Sequence, residues 1–400
     1  MSNQIFITRV VLRNYKSIGK CDVKLGPLTY LVGSNGSGKS NFVDALHLVR
    51  DSLAGSLDNA LSERGGLNEV RRRSSGRPTN FGIRLEFQLA DQKGHYSFNV
   101  GALAGRGYEV QNEECAISGA SNSRFFVIRK GKLVDCSEPT FPAVTADRLA
   151  LVAASGLTAF RLVFDALTSM GFYNLNPKVM RELQKPQDGR LLKASGENIA
   201  SVIGHLGRIA PTQKELVESY LRTVAPMIQG VERKPVGPME TIEFRQDMEG
   251  AKHLLRFSAQ NMSDGTLRAL GVLVALFQGN RDFSPTLVGV EEPETALHPA
   301  ASEALREALI RASENTQIIV TSHSPDLLDD LSIDPDSLLS VVSNLGETHI
   351  ASLDDASKKA MRECLFSAGE LLRLNQLHLN AAEVFAQEES QASLFGSNEI

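Results

Sequence analysis

The sequence predicts an α/β fold: a mixed sheet gathered around one glycine-rich turn, with an antiparallel β subdomain and an inserted helical subdomain. Three observations carry this. Leu28, Tyr30, Leu31 and Val32 make a short apolar run suited to a buried strand. Gly33-Ser34-Asn35-Gly36-Ser37-Gly38-Lys39-Ser40 follows, and then Phe42, Val43, Leu46 and Val49 recur at helical spacing. From Phe81 to Leu89, Ile83, Leu85, Phe87 and Leu89 alternate with polar residues, the mark of a half-buried strand. Tyr96 to Val100 and Phe125 to Val134 extend this antiparallel region, with Lys130-Gly131-Lys132 as a turn. Between them and the C-terminal part, Leu149 to Phe172, Asn198 to Leu206 and Thr212 to Val224 carry apolar residues at helical spacing. Pro177, Pro186, Gly189 and Pro211 separate these stretches.

The turn from Gly33 to Ser40 fits the phosphate-loop pattern G-x-x-x-x-G-K-[ST] at every constrained position. Its glycines allow close backbone approach and inward-pointing N–H groups, and the helix beginning near Lys39 aims its positive end at the same place. Lys39 is expected to reach the β- and γ-phosphates of a nucleoside triphosphate, and the Ser40 hydroxyl to ligate Mg²⁺.

Composition narrows the class. A chain of 400 residues with 42% hydrophobic content builds a real core and two or three domains. A formal charge of −5 excludes a generally basic nucleic-acid coat, so DNA contact requires a local patch. Arg64, Arg71, Arg72, Arg73 and Arg77 are the candidate, against a solvated loop as the plainer reading. Cys21, Cys115, Cys136 and Cys364 are scattered without zinc-like spacing and read as reduced thiols of a cytoplasmic protein. The apolar run Leu267 to Phe277 is too short for a membrane span, and Met1 to Gln4 lacks the features of an export signal.

The start of the chain reads as strands, Ile5 to Tyr15 and then Cys21 to Leu25 with Leu28 to Val32. The expected organisation is an N-terminal lobe over 1–146, a helical insertion over 147–238, a C-terminal lobe over 239–380 and a disordered polar tail over 381–400. In the C-terminal lobe, Asn261-Met262-Ser263-Asp264-Gly265-Thr266 precedes the apolar helix Leu267 to Phe277. A Ser and a Gly there suit anion binding or an ordinary helix cap. Thr286 to Val290 is a compact strand ending in Glu291-Glu292-Pro293-Glu294, carboxylates at the edge where open α/β sheets bind ligands. Gln317 to Val320 is a second such strand, ending in Thr321-Ser322-His323-Ser324.

The order of these features resembles the ABC-type ATPase head shared by SMC proteins, RecF and the overcoming-lysogenization-defect ATPases, a compact AAA-type family. The resemblance covers most of residues 3–350 and is strongest at Asn14-Tyr15-Lys16-Ser17-Ile18, the phosphate loop, Met262 to Thr266, Val290 to Pro299 and Thr321 to Pro325. It implies ATP and Mg²⁺ as cofactors, ATP hydrolysis as the activity, and a homodimer or higher oligomer sandwiching the nucleotide. Ser263 and Gly265 match the signature that binds the nucleotide of the opposite subunit, Glu291 the Walker B acid on the metal, Glu292 the general base and His323 the switch histidine. Glu294 to His298 matches the loop that crosses the dimer interface. The Walker B acid is more often Asp, so Glu291 is a departure. The Q-loop glutamine stays open among Gln88, Gln92 and Gln184, and Lys16 is either near the phosphates or an exposed strand-end lysine.

The family's lysogenization-defect nucleases add a TOPRIM domain, for which the stretch after His323 is too short. Asp334-Pro335-Asp336 imitates a catalytic D-x-D but reads as a turn. A nuclease or toxin is therefore expected as a separate effector partner, in DNA repair or anti-phage defence. The alternative is a weakly hydrolysing, nucleotide-gated scaffold that holds such an effector. A transporter subunit fits less well with the Asn14 to Ile18 start and the Glu291 to Glu294 acids. Ser357 to Leu379 looks helical. In the tail, Gln391-Ala392-Ser393-Leu394-Phe395 is similar to the peptide by which bacterial replication and repair proteins dock on the DNA polymerase sliding clamp; chance and a tail folded onto its own head are the alternatives.

Overall fold

The computed structural model describes residues 5–74, 76, 78–89, 92–105, 107–119, 123–248, 253–279, 283–298 and 301–390. The chain divides into two compact units: Met1–Met170 with Asp334–Phe366 and Leu374–Ile400, and Gly171–Ile333 with Ser367–Arg373. This differs from the expected domains, because the start of the helical insertion stays with the N-terminal residues and the chain after 333 returns to them.

The first unit opens with β1 (Ile5–Tyr15), β2 (Ile18–Lys24) and β3 (Leu28–Val32), followed by β4 (Asn80–Leu89), β5 (Gln92–Ala102), β6 (Tyr108–Ser118), β7 (Ser123–Arg129) and β8 (Lys132–Cys136). After the second unit the chain returns as the hairpin β15 (Leu338–Asn344) and β16 (Glu347–Ser352). The sheet order is β8-β7-β6-β5-β4-β1-β2-β16-β15-β3. The strands from β8 to β2 are antiparallel, as their alternation predicts. The late hairpin is inserted beside the first strands, with β15 parallel to β3 (Leu339 opposite Leu31) and β16 parallel to β2 (Thr348 opposite Ile18).

The helix Lys39–Ala54 buries Phe42, Val43, Ala45, Leu46, Leu48, Val49 and Leu53, an apolar stripe wide enough to cover one sheet face. It stops at Gly55, whose N–H donates to Asp51 O. A chain of edge-on aromatic contacts, Tyr15 to Phe81 at 5.8 Å and Phe81 to Phe98 at 6.4 Å, fills the space beneath β1, β4 and β5. Helix Ala150–Ala154 has no cap of its own at Leu149. Its first N–H groups, on Ala150 and Leu151, are satisfied instead by the fully buried carboxylate of Glu113 on β6, which also accepts from Tyr96 Oη at 2.9 Å.

The second unit carries β9 (Gly171–Tyr173), β10 (Ile228–Val236), β11 (Met239–Gln246), β12 (Leu255–Ser258), β13 (Leu287–Glu291) and β14 (Gln317–Ser322). Strands β14, β13 and β9 run parallel, and β10, β11 and β12 form a separate antiparallel sheet. The helical reading of Leu149 to Phe172 ends too late: Gly171–Tyr173 is a strand, because it pairs with β13 through Val288 to Val290. Helix Asp264–Phe277 is buried on nearly every residue from Leu267 onward, so it runs through the middle of this unit.

The expected disorder of 381–400 is corrected for its first half. Ala381–Ser390 is a helix of the first unit: Glu383 accepts from Ser352 Oγ at 2.6 Å, and buried Gln387 donates to Asp22 O and Ile350 O. Its polar residues serve as strand-edge partners, which composition alone does not reveal. Gln391 to Phe395 and the rest of the tail lie outside the described residues. Ser357 to Leu379 resolves into two short helices, Asp355–Arg362 and Ala368–Arg373. Asp334 caps a 3₁₀ turn over Pro335–Ser337, and Asp336 pairs with Lys358 and Arg362, in agreement with the turn reading. Among the described residues, no helix is long and apolar enough to cross a membrane.

Candidate phosphate loop and paired strand-end site

In the first unit the chain leaves β3 at Val32, turns through Gly33 to Ser37 and enters the helix at Lys39. Gly38 sits at φ 104°, a conformation that costs any residue with a Cβ, and an added Cβ would lie 2.1 Å from Thr348 Oγ1. The sequence pattern therefore requires glycine here for two separate reasons. Lys39 is nearly buried and its Nζ donates to Gly33 O at 2.7 Å and Ser34 O at 2.9 Å, which folds the ammonium back over the mouth of the turn. Ser34, Asn35, Gly36 and Ser40 are exposed around it. Ser37 is only 1% exposed and its Oγ has no hydrogen-bond partner among the described residues. A cationic side chain beside a glycine-rich turn at a helix N-terminus, with one buried hydroxyl lacking a partner among the described residues, fits a polyphosphate.

In the second unit, parallel pairing sets Glu291 opposite Thr321, so β13 and β14 end side by side and their next residues meet. Glu292 adopts φ 44°, outside the strand region. That turn is held by its own N–H, which donates to Thr321 O at 3.0 Å, and by Arg268 Nη1, which donates to Glu292 O at 3.3 Å. The strained turn swings the Glu292 carboxylate to His323, with Oε1 3.1 Å from Nδ1. The contact is an ion pair by distance without hydrogen-bond alignment, since Nδ1 is otherwise buried and unpartnered. Glu294 points inward, 8% exposed, and accepts from Ser322 Oγ at 2.6 Å; burial pushes its carboxyl above the ordinary range despite that bond. Glu291 is half-buried at the last position of β13.

Ser263 is the N-cap of helix Asp264–Phe277: its exposed Oγ accepts from Thr266 N at 3.1 Å. Gly265 is needed because its place one residue into the helix faces the loop after β13. A Cβ there would lie 2.3 Å from Ala296 O. The signature-like helix start and the Glu291 to His298 loop are thus packed against each other. Arg181 reinforces the start by donating to Met262 O at 2.8 Å and pairing with Asp264.

The structure therefore brings Ser263, Gly265, Glu291, Glu292, Glu294 and His323 into one unit, and Gly33 to Ser40 with Asn14 to Ile18 into the other. Sequence reasoning missed Arg268, whose guanidinium is pushed down by burial and faces Glu292 and Glu294. A lone arginine at the start of an apolar helix was the available signal. Lys16 sits at φ 46° with Nζ 2.5 Å from Asp44, so it is neither free nor a simple strand-end lysine. Of the Q-loop candidates, Gln184 is a structural brace, buried and bonded to Met180 O and Ala200 N. Gln88 ends an outer part of β4 and Gln92 opens β5.

Within the proposed arginine patch, the Arg64 side chain is buried, Arg71 and Arg72 are half-buried and Arg73 is exposed. Arg64 pairs with Asp44 at 2.8 Å and Asp51 at 2.9 Å, its side chain only 8% exposed; Arg72 pairs with Glu347 and Arg73 with Glu69. Arg71 donates to Pro78 O, and Arg77 lies outside the described residues. Among the described residues no group of three or more His, Cys, Asp or Glu side chains is placed to hold a metal by itself.

Comparison with known proteins follows this geometry. Among curated proteins, the chain is similar to the Old nuclease of Escherichia phage P2, at 22% identity over 355 residues, which is 80% of this chain and 57% of that protein. It is also similar to ABC transporter A family member 12 of Arabidopsis thaliana, at 39% identity over 93 residues, 22% of this chain and 10% of the transporter. The chain therefore spans just over half the length of the first of these relatives and a tenth of the second. Among solved structures, the Smc head bound to the C-winged helix domain of ScpA gives a TM-score of 0.57 at 15% identity, covering 88% of this chain and 99% of that one. The Smc head domain with an extended coiled coil, bound to the C-terminal domain of ScpA from Pyrococcus furiosus, gives 0.55 at 14% identity over 90% and 99%. These likenesses establish the fold as that of an ABC-type, SMC-like head. A family model described as "AAA domain, putative AbiEii toxin, Type IV TA system" matches residues 28–107 and 209–329, half of the chain, and the chain belongs to that AAA-domain family.

Proposed function

We propose that the protein binds ATP with Mg²⁺ at the phosphate loop, hydrolyses it, and uses it to pair two copies of the chain. The observation that carries this reading is the loop itself, with Lys39 folded back onto the Gly33 and Ser34 carbonyls and the Ser37 hydroxyl buried without a partner among the described residues. Mg²⁺·ATP, when bound, supplies a transferable phosphoryl group and the metal's polarising charge. Mg²⁺ takes few protein ligands and completes its shell with phosphate and water. Ser40 and Glu291 are the residues assigned to it here.

Lys39, now on two carbonyls, would hold phosphate oxygens of the nucleotide, and the helix N-terminus behind Gly38 would add a favourable dipole. Glu292 is assigned the proton of the attacking water. His323, with Nδ1 3.1 Å from Glu292 Oε1, is assigned the part of sensing the nucleotide beside that carboxylate. The exposed Ser263 cap and Gly265 are assigned to the nucleotide of a second copy, which makes pairing and nucleotide binding one event. The sequence relation to a protein named a nuclease supports action on nucleic acid or alongside an effector that cuts it; a role with DNA in repair or anti-phage defence is the reading we attach to it. Arg64, Arg72 and Arg73 are each paired with a carboxylate, which places little weight on them as the DNA surface.

Steady-state ATPase assays and light scattering test the reading together. Lys39→Ala should abolish nucleotide binding, and Glu292→Gln should stall turnover while accumulating an ATP-bound dimer. Parental turnover by the Gln variant sinks the base assignment, and unchanged ATP affinity in the Ala variant sinks the nucleotide site. Turnover that stays minimal with and without DNA ends favours the weakly hydrolysing scaffold.

A further inference from the structure

The phosphate loop is held from beneath by three side chains that come from three separate stretches of the chain. Thr348, on β16 and 1% exposed, has its Oγ1 2.8 Å from Ser37 O. A carbonyl only accepts, so the Thr348 hydroxyl proton is committed to it. Ser17, in the turn between β1 and β2, lies 2.7 Å from the same Thr348 oxygen and must therefore donate to it. The Ser17 oxygen in turn accepts from Asn41 Nδ2 at 2.6 Å. The direction of every bond follows: Asn41 to Ser17 to Thr348 to Ser37 O.

Both ends of this chain of donors lie on the phosphate-loop segment, one before Gly38 and one after Ser40. The relay thus closes a ring around Gly38, Lys39 and Ser40, residues assigned above to the nucleotide. Thr348 is also fixed by its backbone, whose N–H donates to Ser17 O at 2.9 Å. Gly38 lacks a Cβ where the Thr348 methyl and hydroxyl approach most closely.

We infer that Thr348, with Ser17 and Asn41 behind it, is a positioning residue for triphosphate binding: it fixes the Ser37 peptide so that the loop amides are aimed before the ligand arrives. The inference rests on the ATP reading above. None of these three side chains needs to touch the nucleotide. Their role is to remove the loop's freedom in advance, which lowers the ordering cost of binding. Bonds arranged head to tail polarise one another, so the relay is expected to act as a unit.

The test is equilibrium binding of a fluorescent ATP analogue to the full chain, with unfolding midpoints measured in parallel. Thr348→Val keeps the shape and removes the donor; Thr348→Ser keeps the donor and removes the methyl. The Val variant should bind about three- to tenfold more weakly, the ordinary weight of one hydrogen bond, and the Ser variant should bind nearly as the parent does. Ser17→Ala should weaken binding in the same direction, and combining it with Thr348→Val should add little further loss.

A Val variant binding within twofold of the parent overturns the inference, as does a Ser variant as weak as the Val. A loss of stability with unchanged affinity also overturns it, since that marks a purely structural contact. If Thr348→Val does not fold, Ser17→Ala alone decides by the same criterion. A parent protein that binds no ATP removes the ATP reading and this inference with it, whereas a binding parent with an indifferent Val variant removes only the inference.

Discussion

Glu113 gives a pH dependence whose size follows from the structure. The carboxylate is fully buried on β6, and burial pushes it up from 4.5 to about 7 even though Ala150 N–H, Leu151 N–H and Tyr96 Oη all donate to it. Between those two values the folded protein holds a proton here that the unfolded chain has released. Stability therefore falls as pH rises through this window and levels off above about 7. At about 1.4 kcal/mol per pH unit, the whole span is worth roughly 3 kcal/mol, of which roughly 2 kcal/mol lies between about pH 5 and pH 7.5. Asp44 and Asp51 act in the other direction: against the opposing effect of burial, Asp44 is lowered chiefly by Arg64 and Asp51 chiefly by His47, with Arg50 and Arg64 behind it. Their stabilisation is lost only in stronger acid, below this window. Urea unfolding of the parent and of Glu113→Gln across that range isolates the effect, because every other titrating group is common to both. The parent should lose roughly 2 kcal/mol more than the variant on going from acid to neutral pH. Equal slopes would refute the reasoning: they would mean that the three donors fully offset burial and that Glu113 is ionised throughout.

Two further outcomes follow from the packing. Gly38→Ala places a Cβ 2.1 Å from Thr348 Oγ1 at φ 104°, and the combined backbone and steric cost is roughly 2–5 kcal/mol. Adding Thr348→Ala should return the steric share but not the rest, as read by denaturant unfolding; a neutral Gly38→Ala would mean the loop and β16 are not in contact. Arg64→Ala should lower stability by roughly 3 kcal/mol by leaving Asp44 and Asp51 half-buried without their shared partner. A melting temperature within about 2 °C of the parent would instead mark Arg64 as a surface residue, free for a ligand.

Much of the site was legible in the residues, because the phosphate loop is a local object. Gly36 and Gly38 take positive φ, and the strand and helix flank them where the apolar pattern put them. The alternation in Phe81 to Leu89 likewise became β4, since a half-buried strand records its burial at every second residue. What stayed hidden depends on long-range pairing. Nothing near Glu292 announces that β13 and β14 are neighbours, which is what brings His323 to it; only the family resemblance suggested the pair. Thr348 carried no signal of its own in the sequence, and Arg64 read as part of a basic patch, until the partners 331 and 20 positions away were in place. The polar segment after 380 read as disorder because its contacts are hydrogen bonds to strand-edge groups rather than apolar burial.

The late hairpin has a consequence for biosynthesis. Ser37 leaves the ribosome early, yet the strand bearing its partner Thr348 is made 311 residues later. At ordinary elongation rates that is a delay of roughly 15–60 s. Throughout it, β2 and β3 have an empty slot between them, and the nucleotide cradle lacks its floor. A half-made chain therefore presents the phosphate-loop segment without the bond that fixes the Ser37 peptide, and carries unpaired strand edges on β2 and β3 until the hairpin arrives.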